Sequence, residues 1–264
     1  MPIDKGAVES FIVAVCDETV SFFHTNTERF TNCDRLIERF TSVAATWQAH
    51  PSDNIRPITE CVNELCIARK FLESEECTRV LYEPPLEGTD KTIDYLVETT
   101  DGRRILFDVK TIHPEAGDAW ERFKSITDRG LLSDNTELVL DENWLGGEIA
   151  HSFLASREKF LGYTIELEAK IHAMGDKEGL SFAMVFCGNG YGWHLGQLED
   201  FADFYISGSH RPDDPFAKME AHFITERGIT LSRTIHSFCY LERKIGKTSP
   251  RKFGCSVRGP KLPF

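Results

Sequence analysis

Apolar positions in the first fifty residues recur at helical spacing. Val8, Phe11, Ile12, Val15, Thr19 and Phe22 fall on one stripe, and Leu36, Ile37, Phe40, Val43, Ala44 and Trp47 on a second, with a polar stretch over 25–32 between them. Residues three and four apart share a helix face, so the pattern predicts a helical pair or small bundle over 4–47. A polar connection bounded by prolines at 51–57 is the best candidate boundary. Ile58, Cys61, Val62, Leu65, Ala68 and Leu72 then predict a helix over 58–75. Beyond it the period changes. RVLYE at 79–83 reads as a strand, and Pro84-Pro85 through Gly88 as the turn that follows.

From 92 to 112, in TIDYLVETTDGRRILFDVKTI, apolar and polar residues alternate in two runs. Asp101-Gly102 sits between them, and such a pair is a strong hairpin signal because Gly accepts a positive φ. The region is therefore predicted as two antiparallel strands, with Asp94 in the first and Asp108 and Lys110 in the second. The acidic, Gly-punctuated stretch over 115–147 reads as an insertion with a short helix near 119–127. One helix, or two broken near Gly162, is predicted over 149–174. LSFAMVFC at 180–187 is a continuous apolar run of the kind a buried central strand shows. A helix near 195–205, another over 216–226 and a strand over 234–241 follow.

The hairpin carries the chemistry. Side chains alternate across a strand, so Asp108 and Lys110 share a face, and the turn brings Asp94 near both. Two carboxylates and an ammonium on one sheet face are costly unless paired. A divalent cation would be such a partner: Mg²⁺ binds through one or two carboxylates and takes its remaining ligands from water and substrate phosphates. The competing reading is an Asp108–Lys110 salt bridge of purely structural value on an unrelated α/β enzyme.

Asp94, thirteen residues, then Asp108-Val109-Lys110 resembles the PD-(D/E)xK motif of the restriction-endonuclease-like nuclease superfamily, with Ile93 where the name-giving proline would stand. The resemblance covers about 57–190. It implies an α/β fold with an αβββαβ core and a mixed central sheet, here with an N-terminal helical addition. It also implies hydrolysis of nucleic-acid phosphodiester bonds, DNA being favoured, with Mg²⁺ or Mn²⁺ as cofactor. By resemblance Asp94 and Asp108 are metal ligands, Val109 offers its carbonyl, and Lys110 is the catalytic lysine. Glu64 matches a metal-site glutamate of the first core helix, with Glu60 as second choice. Lys170, with Arg157 and Lys159, is placed to contact phosphates from the second core helix. A catalytically silent binding or assembly module on the same fold is the alternative.

The expected division is 1–50 helical, 57–190 the nuclease-like core, 191–242 an α/β extension packed on it, and 243–264 a basic tail. The net charge of −12 argues against a protein that coats nucleic acid, yet the tail runs the other way. From 243 to 261 it has seven basic residues and no acidic one, so the rest of the chain is more acidic still. Lys244, Lys247, Arg251 and Lys252 would grip a phosphate backbone, releasing counterions. Eight scattered cysteines, without C-x-x-C, form neither a zinc pattern nor a disulfide framework. No apolar run is long enough to span a bilayer, and the start lacks the features of a signal peptide. A reduced, cytoplasmic setting without membrane contact is expected. A homodimer or a partner protein is compatible with cutting two strands.

Overall fold

The computed structural model describes residues 5–51, 54–112, 148–188, 195–208, 220–221, 224, 228, 230–243, 252–255 and 262. The N-terminal stripes form helices as their spacing predicts. α1 (Lys5–Val15) buries Val8, Phe11, Ile12 and Val15, then runs through a π-helical turn (Cys16–Val20) into α2 (Ser21–His24). α3 (Cys33–Ala49) buries Leu36, Phe40, Ala44 and Trp47. α4 (Arg56–Glu73) carries Pro57 in its first turn, where a missing N–H is tolerated. Among the described residues α5 (Glu148–Ala173), the longest helix and unbroken at Gly162, and α6 (Leu195–Ser207) follow.

Among the described residues the strands β1 (Phe30–Thr31), β2 (Cys77–Tyr82), β3 (Tyr95–Thr99), β4 (Arg104–Thr111), β5 (Leu180–Gly188), β6 (Ser237–Glu242) and β7 (Lys252–Cys255) form one seven-stranded sheet in sequence order. β2, β3 and β4 are antiparallel neighbours, β4, β5 and β6 are parallel, and the edge strands pair β1 parallel to β2 and β7 antiparallel to β6. Parallel neighbours need a crossover, which α5 and α6 supply in the chain between β4, β5 and β6. The molecule is thus α/β with a mixed sheet, and among the described residues its central elements follow the order α4-β2-β3-β4-α5-β5.

Both faces of the sheet are covered. Ile105, Phe107 and Val109 of β4 point into a core shared with α1, α3 and α4, whereas Leu106 and Ile112 point into a second core beneath α5 and α6. Strands buried on both sides lose the simple polar-out alternation, which is why β5 reads as an unbroken apolar run. The N-terminal helices, expected as an addition, pack into the first of these cores, and Phe30 adds a strand residue opposite Val80.

The stretch from 243 onward differs from a free arm. Lys252–Cys255 is strand β7, Leu262 is buried in the first core, and Arg243 is buried with its guanidinium 5.2 Å from the centroid of the Phe11 ring. Cys239 is disulfide-bonded and stands opposite Cys255 in the β6–β7 ladder, a proximity that sequence spacing does not show. His113, the 115–147 insertion, the side chain of Arg157 and Lys244, Lys247 and Arg251 lie outside the described residues, as do most of the 216–226 helix and the side chain of Lys252. Among the described residues no helix is long and apolar enough to cross a membrane.

Gly88 shows how the turn after β2 is seated on α5. Its φ is +81°, and a Cβ there would lie 3.1 Å from the backbone N of Gly175 and 3.3 Å from the carbonyl O of Ala173. Glu87 next to it accepts a hydrogen bond from the Gly175 N–H at 3.0 Å. Backbone atoms cannot step aside as a flexible side chain can. Gly88→Ala is therefore expected to destabilise the protein by about 1–3 kcal/mol, read as a lowered denaturation midpoint.

Candidate active site

The site is built where β3 and β4 part. Their ladder runs from Glu98↔Arg104 to Tyr95↔Phe107 and stops there. Asp94 lies at a bend just ahead of β3, not within the strand as the alternation predicts. The bend shows in the packing: Tyr95 and Val97 sit in the first core, but Ile93, which alternation would place with them, is buried in the second. The physical reason is a substitution of partners. The Val109 N–H has no backbone acceptor left on β3 and donates instead to Asp94 Oδ2 at 2.6 Å, while the Asp94 carbonyl accepts from Glu83 N–H at 2.8 Å. N–H and C=O of one strand residue point to the same side, so the Val109 carbonyl faces this gap too.

Asp108 is fully buried on the α5 side of the sheet, at 0% exposure. Its Oδ1 accepts a hydrogen bond from Lys170 Nζ at 2.6 Å. Its Oδ2 lies 3.0 Å from Lys110 Nζ as an ion pair, yet accepts no aligned hydrogen bond. Lys170, expected to contact phosphates, has its ammonium on Asp108 as a counter-ion. Three residues of α5 explain the reach. Tyr163, Glu166 and Lys170 recur at helical spacing on the side of the helix that overlooks Lys110, whose Nζ is 5.9 Å from the Tyr163 ring centroid.

Glu64 approaches from the opposite layer. α4 is wedged between α3 and the sheet, so residues 61–68 are all buried and any carboxylate among them needs partners. Arg39 of α3 donates to Glu64 Oε2 through Nη1, and Tyr82 Oη donates to the same oxygen at 3.2 Å. Arg39 Nη1 also donates to Tyr82 Oη at 3.1 Å, and Tyr95 Oη donates to the Glu64 carbonyl at 3.0 Å. Next to it in sequence, Asn63 donates to Thr111 Oγ1 at 3.0 Å and accepts from Arg243 Nε at 3.1 Å. Arg39 and Tyr82 were not legible as site residues. Arg39 flanks the apolar stripe of α3, where a cation is the ordinary occupant, and nothing local marks its partner.

Burial and crowding set the electrostatics. Burial, then the charges of Asp108 and Glu64, push the Asp94 carboxyl up to about 8. Burial also raises Glu64, against the pull of Arg39. Burial would lower the Lys110 ammonium, but the Asp108 and Asp94 charges outweigh it and hold it raised. Lys110 is therefore a proton-bearing cation at neutral pH, not a free amine.

The arrangement brings Asp94, Asp108, Val109 and Lys110 together, adds Lys170, and places Glu64 close enough to bear on Asp94 while tied to Arg39 and Tyr82. Glu60, the second choice, is half-buried, and its charge bears on Tyr163. Among the described residues no three His, Cys, Asp or Glu side chains form a ready metal cage. What is present is a pair of carboxylates, a carbonyl facing the same gap and one buried oxygen, Asp108 Oδ2, without a hydrogen bond. That donor set, all oxygen, fits a Mg²⁺ or Mn²⁺ bound through two carboxylates. No family model, curated protein or solved structure matches the chain.

Proposed function

We propose that this protein is a divalent-metal-dependent nuclease that hydrolyses nucleic-acid phosphodiester bonds, DNA being the favoured substrate, on a restriction-endonuclease-like core spanning about 57–190. The observation that carries the reading is the Asp94 carboxylate held on the Val109 N–H, beside buried Asp108 and cationic Lys110, at the point where two antiparallel strands diverge. The element order α4-β2-β3-β4-α5-β5 supports it as the αβββαβ order of such cores.

Asp94, Asp108 and the Val109 carbonyl would hold Mg²⁺ or Mn²⁺, and Glu64 would join only by loosening its hold on Arg39. When bound, the metal supplies Lewis-acid stabilisation of the phosphoryl oxygens and eases deprotonation of the attacking water. The residues do the rest. Lys110, kept charged by its two aspartates, donates hydrogen bonds that orient the water and offset negative charge as the phosphorane-like transition state forms. Asp108 fixes Lys110 through their ion pair, and Asp94 is fixed in turn by Val109 N–H. Catalysis rests on positioning, with no covalent enzyme intermediate.

The test is incubation of purified protein with plasmid, linear duplex, single-stranded DNA and RNA, in Mg²⁺ or Mn²⁺ and in EDTA. Lys110→Ala runs alongside. Cleavage is expected only with metal, and about 10²–10³-fold slower in Lys110→Ala. Cleavage that survives EDTA, or that Lys110→Ala leaves unchanged, sinks the assignment. The second reading, a silent binding or assembly module, is favoured by one observation: Lys170 on Asp108 and Arg39 on Glu64 already neutralise the acids. It predicts no cleavage and no metal binding from a folded protein.

A further inference from the structure

We infer that Lys170 is a displaceable internal counter-ion: its ammonium sits on Asp108 Oδ1, competes with a divalent cation for the charge of that carboxylate, and once displaced is offered to the substrate phosphate. The inference rests on the proposed metal site. It starts from Asp108, a carboxylate with no exposure whose charge must be matched from inside the protein. Two ammonium groups meet it, one per oxygen, Lys110 at 3.0 Å and Lys170 at 2.6 Å. With an ammonium on each of its oxygens, Asp108 takes up a doubly charged ion only against their repulsion. One lysine has to yield.

The two are held differently. Lys110 is on the same strand face as Asp108, two residues along, so the backbone keeps its ammonium near whatever the carboxylate does. Lys170 comes from α5, sixty-two residues further on, and touches Asp108 only through the end of a four-carbon stem. Its side chain is 19% exposed, so a path to solvent exists that the buried carboxylate lacks. The Asp108 carboxylate gains a stronger partner when the cation arrives, whereas the Lys170 ammonium loses its own. A phosphodiester brought to the same opening supplies the negative oxygen that the displaced ammonium needs. Metal and substrate would then favour one another, because each improves the position of Lys170 for the other.

The experiment is calorimetric titration of Mn²⁺ into EDTA-stripped wild type, Lys170→Met and Lys170→Arg, without substrate, followed by single-turnover cleavage at saturating Mn²⁺. Lys170→Met removes the competing charge at similar length and is expected to bind Mn²⁺ about 10-fold tighter. Lys170→Arg keeps the charge and stays near wild type. Cleavage by Lys170→Met falls about 10-fold despite the tighter binding, a combination that a merely structural lysine would not give. Equal or weaker Mn²⁺ binding by Lys170→Met overturns the inference, while a wild type that binds and cleaves leaves the nuclease reading standing. Tighter binding with unchanged cleavage overturns the phosphate contact alone. Absence of Mn²⁺ binding in every protein overturns both readings together. Should Lys170→Met fail to fold, Lys170→Gln, which keeps a donor for Oδ1, is titrated in its place. Unfolding of both even with Mn²⁺ present shows a fixed structural counter-ion and overturns the inference.

Discussion

Asp94→Asn is expected to abolish divalent-cation binding, to slow cleavage by at least about three orders of magnitude, and at the same time to stabilise the metal-free protein at pH 8. The opposite signs come from one cause. Asp94 is half-buried beside Asp108 and Glu64, and its carboxyl is pushed up to about 8. An unfolded chain would ionise the same group near 4. Between those values the folded state holds a proton that the unfolded state has released, so stability falls as pH rises. The contribution is fully present below the ordinary carboxylate value and gone once pH passes about 8. Asparagine is neutral at every pH and keeps an oxygen for the Val109 N–H, so it escapes the penalty. In EDTA, the wild type should lose on the order of 2–4 kcal/mol more than Asp94→Asn between pH 5 and pH 8. Glu64, also raised, gives both proteins a shared residual slope. Saturating Mn²⁺ should remove most of the wild-type difference and do nothing for the variant. Denaturant melts at the two pH values, with and without metal, decide it; parallel slopes for the two proteins in EDTA would show that Asp94 is not under electrostatic strain.

That an acid can be costly for the fold and still be in place is the physical signature by which the site was partly legible. The hairpin signal at Asp101-Gly102, the shared face of Asp108 and Lys110, and the helix before β2 all depend on local periodicity. They returned as β3, β4 and α4 with their turn Gly at φ 81°. What periodicity could not convey was pairing across distance. Arg39 reaches Glu64 over twenty-five residues and Lys170 reaches Asp108 over sixty-two, and each is an ordinary flanking cation in its own helix. The bend at Asp94 was hidden for a related reason. A residue that leaves a strand to cap the neighbouring strand's N–H keeps the alternation of the letters around it, and only the switch of Ile93 to the other core reveals the turn. β1 and β7 escaped because strands of two and four residues in polar or basic surroundings carry almost no pattern of their own.

The largest expected loss of stability lies outside the acidic site, at Glu168 of α5. Read as a sequence, Glu168 interrupts the stripe of Phe160, Leu161, Thr164, Leu167 and Ile171, all of them buried, and a carboxylate in such a stripe must have found partners. It has three. Oε1 accepts from Tyr205 Oη of α6 and from the Arg233 N–H at 2.7 Å, and Oε2 accepts from the Ser232 N–H at 2.8 Å. Tyr205 Oη in turn accepts from the Ile235 N–H at 3.1 Å. Burial and the neighbouring Glu168 hold the Tyr205 phenol far above its ordinary value, so it remains a donor at every working pH. This one carboxylate therefore joins α5, α6 and the segment leading into β6, where Arg233 is held at a φ of 52° with its guanidinium over the Phe204 and Tyr205 rings. Glu168→Ala strands two backbone N–H groups and a phenol at once, each worth about 1–3 kcal/mol when buried without a partner. The sum, about 3–5 kcal/mol after partial relaxation, is a large share of the roughly 5–15 kcal/mol that holds a domain together. Glu168→Gln keeps one acceptor oxygen and should cost about half as much. Tyr205→Phe removes the acceptor of the Ile235 N–H and should fall between them. If Glu168→Ala melts within about 1 kcal/mol of wild type, the network is not the joint described. If it melts early yet binds Mn²⁺ normally while folded, α5 owes its hold on the sheet to Glu168 and its electrostatic work at Asp108 to Lys170, two residues away on the same helix.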